Sequence, residues 1–434
     1  LRFDWKTVTL NDVIARIPGS TEPDQWIIRG NHFDAWVNGA QDPLSGQVSL
    51  LEEARALGGL LKQGWRPRRT IIYAAWDGEE EGLLGSTEWV ETHAAELAEH
   101  GVAYINSDVS SRGFLGMGGS HVLERFINDV ARDITDPETN LPVWKRAQLQ
   151  SISNGSAEAR EEARSRGDLR IDALGSGSDF TPFLQHAGIA SLDLSFGGEG
   201  GGGIYHSVYD DFRWFTSFDD TTFAYGQTLA QTIGTAIMRL SSAEVLPFEF
   251  TRQADTFTQY LTELKKLLEN KQEEAVERNR QLDDGVFQAV SDPREPTTPP
   301  ARLDPPPHLN FAPLENALDH LTHAAEGYEK ALGRLASDSA VQWPGARAAG
   351  INQVLLKTER ALTSKDGLPG RPWFQHLIYA PGLYTGYGVK TMPGIREAIE
   401  QRKWAEAERE IARVAQSIEA EAGLVESAAK ELER

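Results

Sequence analysis

Cysteine is absent from the 434 residues of this chain, which excludes disulfide bonds and thiolate metal sites. Any bound metal must therefore be held by imidazole nitrogens and carboxylate oxygens. Histidine is scarce, with ten copies, so a histidine close to carboxylates is a candidate ligand. The lack of cysteine does not identify the cellular compartment.

Positive charge and long apolar runs are also lacking. The 43 basic residues are outnumbered by 64 acidic ones, and the net charge of −21 repels phosphate backbones, so we expect no nucleic-acid partner. No segment approaches the roughly 18 consecutive apolar residues that indicate a membrane span. The chain begins at Leu1 without a methionine or a signal-like segment, from which we expect a processed or truncated protein.

The order of apolar segments predicts two domains, as the length of the chain also does. Up to about residue 245, β-rich runs alternate with helical patterns, which is typical of a mostly parallel sheet with helices on both faces. The predicted strands cover residues 26–30, 70–76, 102–106 and 189–194, and the predicted helices cover about 45–63 and 83–99. After residue 250 the pattern predicts only helices, over about 252–283, 311–336, 343–363 and 394–433. We therefore predict an α/β domain over 1–245 and an all-α helical bundle over 250–434.

Titratable residues cluster at the ends of the predicted strands and in the adjoining loops. The candidates are His32, Asp42, Glu79, Glu80, Asp108 and His206. Because ligands in open α/β sheets bind beyond the carboxyl ends of the strands, we expect these side chains to share one crevice. Each has an ordinary alternative when taken alone, since Asp42 can cap a helix and acidic pairs arise by chance in so acidic a chain.

Together the candidates indicate a pair of divalent ions in nitrogen and oxygen coordination, zinc first, with manganese or cobalt as alternatives. One of two adjacent glutamates can bind a metal while the other acts as a base on bound water. Asp34, two residues after His32, can hold the ring nitrogen opposite the metal. The residues therefore favour a metallohydrolase.

Seven segments carry a family resemblance. They are GWRPRRT at 64–70, WDGEE at 76–80, GLLGSTEW at 82–89, VAYIN at 102–106, LGSG at 174–177, YHSVY at 205–209 and GLP at 367–369. They resemble the glutamate carboxypeptidase II branch of the two-zinc exopeptidases, in peptidase family M28, which also contains the transferrin receptors. The resemblance implies the zinc exopeptidase fold followed by a helical dimerisation domain, whose loop around residues 384–393 should reach the active site.

The resemblance implies a role for each candidate ligand. Asp42 bridges two zinc ions, His32 and Asp108 complete one site, and Glu80 and His206 complete the other. The implied activity is the hydrolysis of short peptides from one end.

Further residues receive roles from the same resemblance. Glu79 is implied to remove a proton from the attacking water, and the Tyr205 hydroxyl to stabilise the oxyanion. Asp34 would orient the imidazole of the first zinc site. Glu88 and Glu91, one helical turn apart, match positions that bind a structural calcium ion.

The substrate pocket differs from that of the glutamate-selective members. The resemblance places the pocket at Gly177, Ser178, Asp193, Ser195 and Tyr387. Those members have a lysine where this chain has Gly386, and arginines where it has Gly118, Asp193 and Ser195, while Ser178 replaces an asparagine. We therefore expect no strong preference for acidic residues. A pocket with Asp193 can instead accept neutral or basic residues or a free amino terminus.

Several alternatives stay open at this point. A carboxypeptidase, an aminopeptidase or dipeptidase, and an N-acyl amino acid hydrolase can all use the same site. A non-catalytic binding protein like the transferrin receptors is the alternative of another class, but such proteins have lost zinc ligands that are all present here. The family also implies a homodimer, a location outside the cytoplasm (secreted, periplasmic or anchored through a missing N-terminus), and a first protease segment and an apical domain before Leu1.

Overall fold

The computed structural model describes residues 5–200, 202–295, 297–337 and 345–433. The first residues of the helix predicted over 343–363 lie outside these ranges, as do the two ends of the predicted domains, at residues 1–4 and 434. Residue 201, in the glycine-rich segment before His206, also lies outside them.

A mixed sheet forms the centre of the region before residue 245. Its strands are β1 (Val13–Ile17), β2 (Glu22–His32), β3 (Arg69–Trp76), β4 (Gly101–Asn106), β5 (Gly113–Gly119) and β6 (Ala190–Gly198). Their order is β1-β3-β2-β4-β6-β5. The four inner strands are parallel, whereas β1 and β5 run antiparallel to their neighbours at the two edges. The predicted mostly parallel sheet is therefore confirmed.

The inner strands were predictable because they are covered on both faces. Every residue of β3 and β4 is buried, and such strands appear in the sequence as continuous apolar runs. The two edge strands were missed. The strand β5 has the sequence GFLGMGG, and its glycines weaken a strand pattern. Its register places Gly118 opposite Asp193 and Gly116 opposite Ser195.

Helices cover the sheet and form most of the region after residue 250. They are α1 (Leu44–Lys62), α2 (Leu84–Thr92), α3 (Ala94–His100), α4 (Glu124–Asp133), α5 (Val143–Asn154), α6 (Ala157–Ser165), α7 (Phe212–Phe218), α8 (Ala224–Ser242), α9 (Thr251–Asp283), α10 (Val286–Val290), α11 (Ala312–Ser337), α12 (Gly345–Leu355), α13 (Thr358–Ala361), α14 (Pro393–Glu400) and α15 (Trp404–Glu433). A 3₁₀ turn at His121–Leu123 and a π turn at Pro182–His186 complete the set in the described ranges.

Three predicted helices are broken in the structure, and the one predicted over 343–363 divides into α12 and α13. The helix predicted over 83–99 divides at His93, whose backbone leaves the helical path with φ −101° and ψ 18°. The helix predicted over 394–433 divides at Arg402, which adopts a left-handed φ of 59°. A left-handed residue ends a helix because the next amide bonds back to an earlier carbonyl, as Lys403 N does to Ala398 O at 2.8 Å.

A two-stranded hairpin, which the sequence pattern did not predict, interrupts the helical region. It consists of β7 (Tyr379–Pro381) and β8 (Val389–Thr391), paired antiparallel. Its connecting loop contacts the sheet region, since Tyr387 O accepts a hydrogen bond from Ser176 N at 3.1 Å. A side chain at Gly175 would collide with the same carbonyl, so the contact requires a glycine there. The expected return of this loop to the sheet is therefore found.

The buried apolar side chains of both regions form one contiguous cluster. Ile105 of the sheet and Leu321 of α11 belong to it alike. The predicted division near residues 245–250 therefore stays a prediction. No helix in the described ranges is both long enough and apolar enough to cross a membrane.

One buried acid in this core predicts a pH-dependent stability. Burial raises the pKa of Glu421 in α15 well above its ordinary 4.5, and Glu359 raises it further, while Gln253 lowers it. Because folding favours the neutral carboxyl, Glu421 lowers the stability as the pH rises above 4.5. We expect Glu421→Gln to raise the free energy of unfolding by about 1–3 kcal/mol near pH 8 and to change it little near pH 4.

Urea denaturation at the two pH values measures this effect. Glu408→Gln, at an exposed position of the same helix, is the matched control and should change the stability little at either pH. An equal effect of Glu421→Gln at both pH values would show that this carboxyl does not stay neutral in the folded protein.

Candidate metal centre

A cleft with a volume of about 440 Å³ lies at the carboxyl ends of β2, β3 and β4. All the candidates from the strand ends line it: His32, Asp42, Glu79, Glu80, Asp108 and His206. His32 is the last residue of β2, the two glutamates lie in the turn after β3, and Asp108 follows β4. Asp42 lies in the loop before α1, and His206 lies in the loop after β6.

The first site combines a histidine with two aspartates. His32 Nε2 lies 3.4 Å from Asp42 Oδ1 and 3.8 Å from Asp108 Oδ1. On the other side of the ring, Nδ1 lies 3.1 Å from the carbonyl oxygen of Asp34. Because a carbonyl only accepts, Nδ1 carries a proton, and Nε2 is the ring nitrogen that faces the two aspartates.

The second site uses the other oxygen of the same aspartate. His206 Nε2 lies 3.3 Å from Asp42 Oδ2 and 3.2 Å from Glu80 Oε2. Two ligands of a tetrahedral zinc ion lie about 3.3 Å apart when each bond is about 2.0 Å long. The separations of Asp42 and Glu80 from their histidines agree with that spacing. Asp42, Glu80 and His206 therefore form a group that can hold one divalent ion, and the other oxygen of Asp42 faces His32.

The charges of the cleft also favour cations. Burial raises the pKa of Glu79 to about 9, and Asp179, Asp108 and Glu80 raise it further, against the opposing effect of His32. Burial lowers the pKa of His32, but hydrogen bonds to neighbouring carboxylates raise it to about 12. In the described part of the chain, no lysine or arginine lines the cleft. The carboxylates of the cleft thus disfavour one another's ionised forms, and a bound cation would relieve this repulsion.

Asp34 connects the first site to the turn after β3. Its Oδ1 accepts a hydrogen bond from Glu79 N and its Oδ2 accepts one from Glu80 N, both at 3.1 Å. Burial alone would raise the pKa of Asp34, but these bonds and the contact with His32 hold it below its usual value. Asp34 faces the imidazole, and its carboxylate also fixes the main chain of both glutamates. The sequence did not predict the bonds to the glutamates.

Tyr205 and Tyr387 stand at the rim of the cleft, each more than half exposed. The Tyr205 ring stacks on His206 with 3.6 Å between ring centroids. Burial raises the pKa of the Tyr205 hydroxyl above its usual value, and Asp42 and Tyr387 add to this effect. The hydroxyl therefore keeps its proton and can donate it in a hydrogen bond.

Two further residues that support the ligands were missed in the sequence. Asp210 accepts hydrogen bonds from Gln41 N at 2.7 Å and from Asp42 N at 3.1 Å, so it fixes the loop before α1. Asn106 Nδ2 donates to Asp108 Oδ1 at 3.2 Å. Their positions were the available signals, since Asn106 ends a predicted strand and Asp210 follows directly after the YHSVY segment.

The substrate-pocket candidates divide into two groups. Gly177 and Tyr387 line the cleft, and Ser178 donates to Asp108 Oδ1 at 2.9 Å. Asp193 and Ser195 lie on β6, half-buried and outside the residues that line the cleft. Asp193 is connected to the first site by Asn106 Nδ2, which lies 3.1 Å from Asp193 Oδ1. Burial and the nearby Asp108 raise the pKa of Asp193 to about 7.

The pair expected to bind calcium lies away from the cleft. Glu88 and Glu91 are exposed on α2, and Glu91 Oε1 accepts a hydrogen bond from Trp373 Nε1 at 2.7 Å. Among the described residues, no further histidine or acidic side chain forms a metal-binding group with them. A calcium ion at Glu88 and Glu91 stays a prediction.

The sheet and its donor set define an α/β protein with a candidate two-metal centre. The chain belongs to peptidase family M28, whose model matches residues 12–233. A transferrin receptor-like dimerisation domain matches residues 309–426. The resemblance read from the sequence segments is thereby confirmed.

Several known proteins are similar to this chain. A probable glutamate carboxypeptidase LAMP1 from Arabidopsis thaliana is 35% identical over 419 residues, which are 94% of this chain and 53% of that protein. The aminopeptidase NAALADL1 of Rattus norvegicus is 29% identical over 437 residues, covering 96% of this chain and 52% of that protein. The chain thus spans about half the length of these curated relatives. A solved aminopeptidase from Aneurinibacillus sp. strain AM-1 is similar over 53% of this chain and 48% of its own, at 18% identity and a TM-score of 0.38.

Proposed function

We propose that this chain is a two-zinc exopeptidase that hydrolyses short peptides. The observation that carries the proposal is the Asp42 carboxylate, whose two oxygens face two different histidines in a member of peptidase family M28. His32 and Asp108 would hold one ion together with Asp42. Glu80 and His206 would hold the other.

Zinc, when bound at such a centre, lowers the pKa of water and polarises the carbonyl of the scissile bond. Glu79 is the proposed base, because it is 8% exposed and its Oε2 lies 3.9 Å from His32 Nε2, at the edge of the first site. Glu79 would take a proton from water and return it to the leaving amine, and its burial favours the protonated form between these two steps. The protonated hydroxyl of Tyr205 would donate to the oxyanion.

The charge of the cleft supports a substrate without acidic side chains. The described lining contains no lysine or arginine to attract a carboxylate, and Asp193, when ionised, adds negative charge one amide away from Asp108. A free amino terminus or a basic side chain is compatible with this charge. An aminopeptidase or dipeptidase is therefore the second candidate function, beside a carboxypeptidase without acidic preference and an N-acyl amino acid hydrolase.

The assembly and location of the protein are part of the proposal. A homodimer through the helical region is supported by the dimerisation-domain match over residues 309–426. A location outside the cytoplasm is supported by family membership alone. The binding-protein alternative is disfavoured because every candidate ligand position carries an imidazole or a carboxylate.

Replacement of Glu79 separates catalysis from metal binding. We expect Glu79→Gln to lower kcat by about 10²–10⁴-fold, because the amide cannot accept the proton, while the zinc content stays at two ions per chain. Glu81→Gln, at an exposed position two residues away, is the control and should keep full activity. Unchanged peptidase activity in Glu79→Gln, or no zinc by elemental analysis of the unaltered chain, would refute the proposal.

A panel of dipeptides with free or blocked ends tests the substrate. We expect kcat/KM to be about tenfold higher for basic than for acidic residues on the amino side of the bond, because Asp193 repels a second carboxylate. Asp193→Asn should bring this ratio of kcat/KM values closer to one. Loss of cleavage on blocking the amino end identifies an aminopeptidase, and loss on blocking the carboxyl end identifies a carboxypeptidase. A preference for acidic residues would contradict the charge argument.

A further inference from the structure

The side-chain amide of Asn31 contacts residues next to several candidate ligands. Asn31 is fully buried at the end of β2, directly before His32. Its Nδ2 donates to His32 O at 2.8 Å and to Pro43 O at 3.4 Å. Its Oδ1 accepts a hydrogen bond from Ser107 Oγ at 2.8 Å.

These contacts reach all three segments of the first site. Pro43 follows Asp42 in the chain, and Ser107 precedes Asp108. The single side chain of Asn31 therefore joins the strand end that carries the histidine to the loops that carry both aspartates.

A buried ion pair determines how this amide is oriented. Arg29 and Glu53 have fully buried side chains, with Arg29 Nε 3.1 Å from Glu53 Oε2. Arg29 Nη2 donates to Ser107 Oγ at 2.7 Å. Since a guanidinium cannot accept, the Ser107 oxygen receives this bond and its own proton points to Asn31 Oδ1. The NH₂ group of Asn31 is then left to face His32 O and Pro43 O.

The helix α1 connects the buried ion pair to the first metal site. Glu53 lies on α1, and the first turn of this helix contacts the first site, since Gly46 N donates to Asp108 O at 3.2 Å. A side chain at Gly46 would collide with Asp108 O and with Asn31 Oδ1. This close approach therefore fixes α1, the side chain of Asn31 and the loop of Asp108 relative to one another.

The second site has different supports. Asp34 fixes Glu80 by its main chain, and Ser207 next to His206 bonds to Ile204 O at 2.7 Å. The hydrogen bonds found for Asn31, Ser107, Arg29 and Glu53 in the described ranges reach neither residues 79–80 nor 205–207.

We propose that the network of Asn31, Ser107, Arg29 and Glu53 positions the first metal site, through His32, Asp108 and the loop of the shared Asp42. It does not position Glu80 and His206, the ligands that belong to the second site alone. The proposal rests on the two-zinc function. A buried ion pair is a weak source of stability, because apolar residues of similar volume can replace it at little cost. The fixed direction of its hydrogen bonds, in contrast, is lost in any such replacement.

The test measures the affinity for each ion by competition with a chelator, on the full chain. Asn31→Ala is expected to weaken the binding of one zinc ion by about 10–100-fold, the usual effect of losing a residue that supports a ligand. The other ion should be retained, so that one zinc per chain remains at a chelator concentration at which the unaltered chain keeps both. Retention of both ions with unchanged affinity would overturn the proposal.

A second variant tests the proposal independently, in case Asn31→Ala does not fold. Arg29→Met combined with Glu53→Leu replaces the ion pair with apolar side chains and removes the donor that orients Ser107. This double variant should also weaken the binding of one zinc ion and not of the other. The control is Arg69→Met with Glu22→Leu, which removes another buried pair of the same sheet, 2.9 Å apart, at its opposite end. The control should leave both zinc affinities unchanged, whatever it does to Tm.

The outcomes distinguish this proposal from the function on which it rests. An unaltered chain that binds no zinc would refute the two-zinc function itself. An unaltered chain that binds two ions, with the network variants and the control equal to it in both affinities, would refute only the positioning role. Equal weakening of both ions in the network variants would also refute it, because the role is specific to the first site.

Discussion

The division of one carboxylate between two histidines is the constraint on which the candidate centre depends. Asp42 lies 3.4 Å from His32 Nε2 through one oxygen and 3.3 Å from His206 Nε2 through the other. Asp210 fixes the main chain of this aspartate by accepting a hydrogen bond from Asp42 N at 3.1 Å. The negative charge gathered around it then makes the cleft a place for cations rather than for a hydrophobic ligand.

The sheet brings the candidate ligands close enough to share this carboxylate. Parallel strands end at one edge, so ligands that are far apart in the chain are brought within one cleft. Beneath the first site, Trp76 Nε1 donates to Tyr104 OH at 3.0 Å, and Tyr104 OH donates to Asn106 Oδ1 at 2.8 Å. Gly30 makes room for this series, because a side chain there would collide with the Tyr104 hydroxyl. The series ends at Asn106, which holds Asp108.

The sequence predicted what depends on local pattern and on chemistry at strand ends. The inner strands appeared as apolar runs, and a carboxylate two residues after such a strand, as at Asp108, is an informative exception. The edge strand β5 could not be predicted, because glycines remove the pattern and only its pairing with β6 makes it a strand. The spacing of Asp34 and His32 predicted their contact. The bonds of Asp34 to the main chain after β3, and that of Asn31 to Pro43 O, join distant segments, which no spacing in the sequence records.

The most direct test of the central claim is an anomalous-scattering map at the zinc edge from crystals of the full chain. We predict two peaks about 3.5–4 Å apart, one beside His32 and Asp108 and the other beside Glu80 and His206, with Asp42 in contact with both. A single peak, or two peaks that do not share Asp42, would contradict the account.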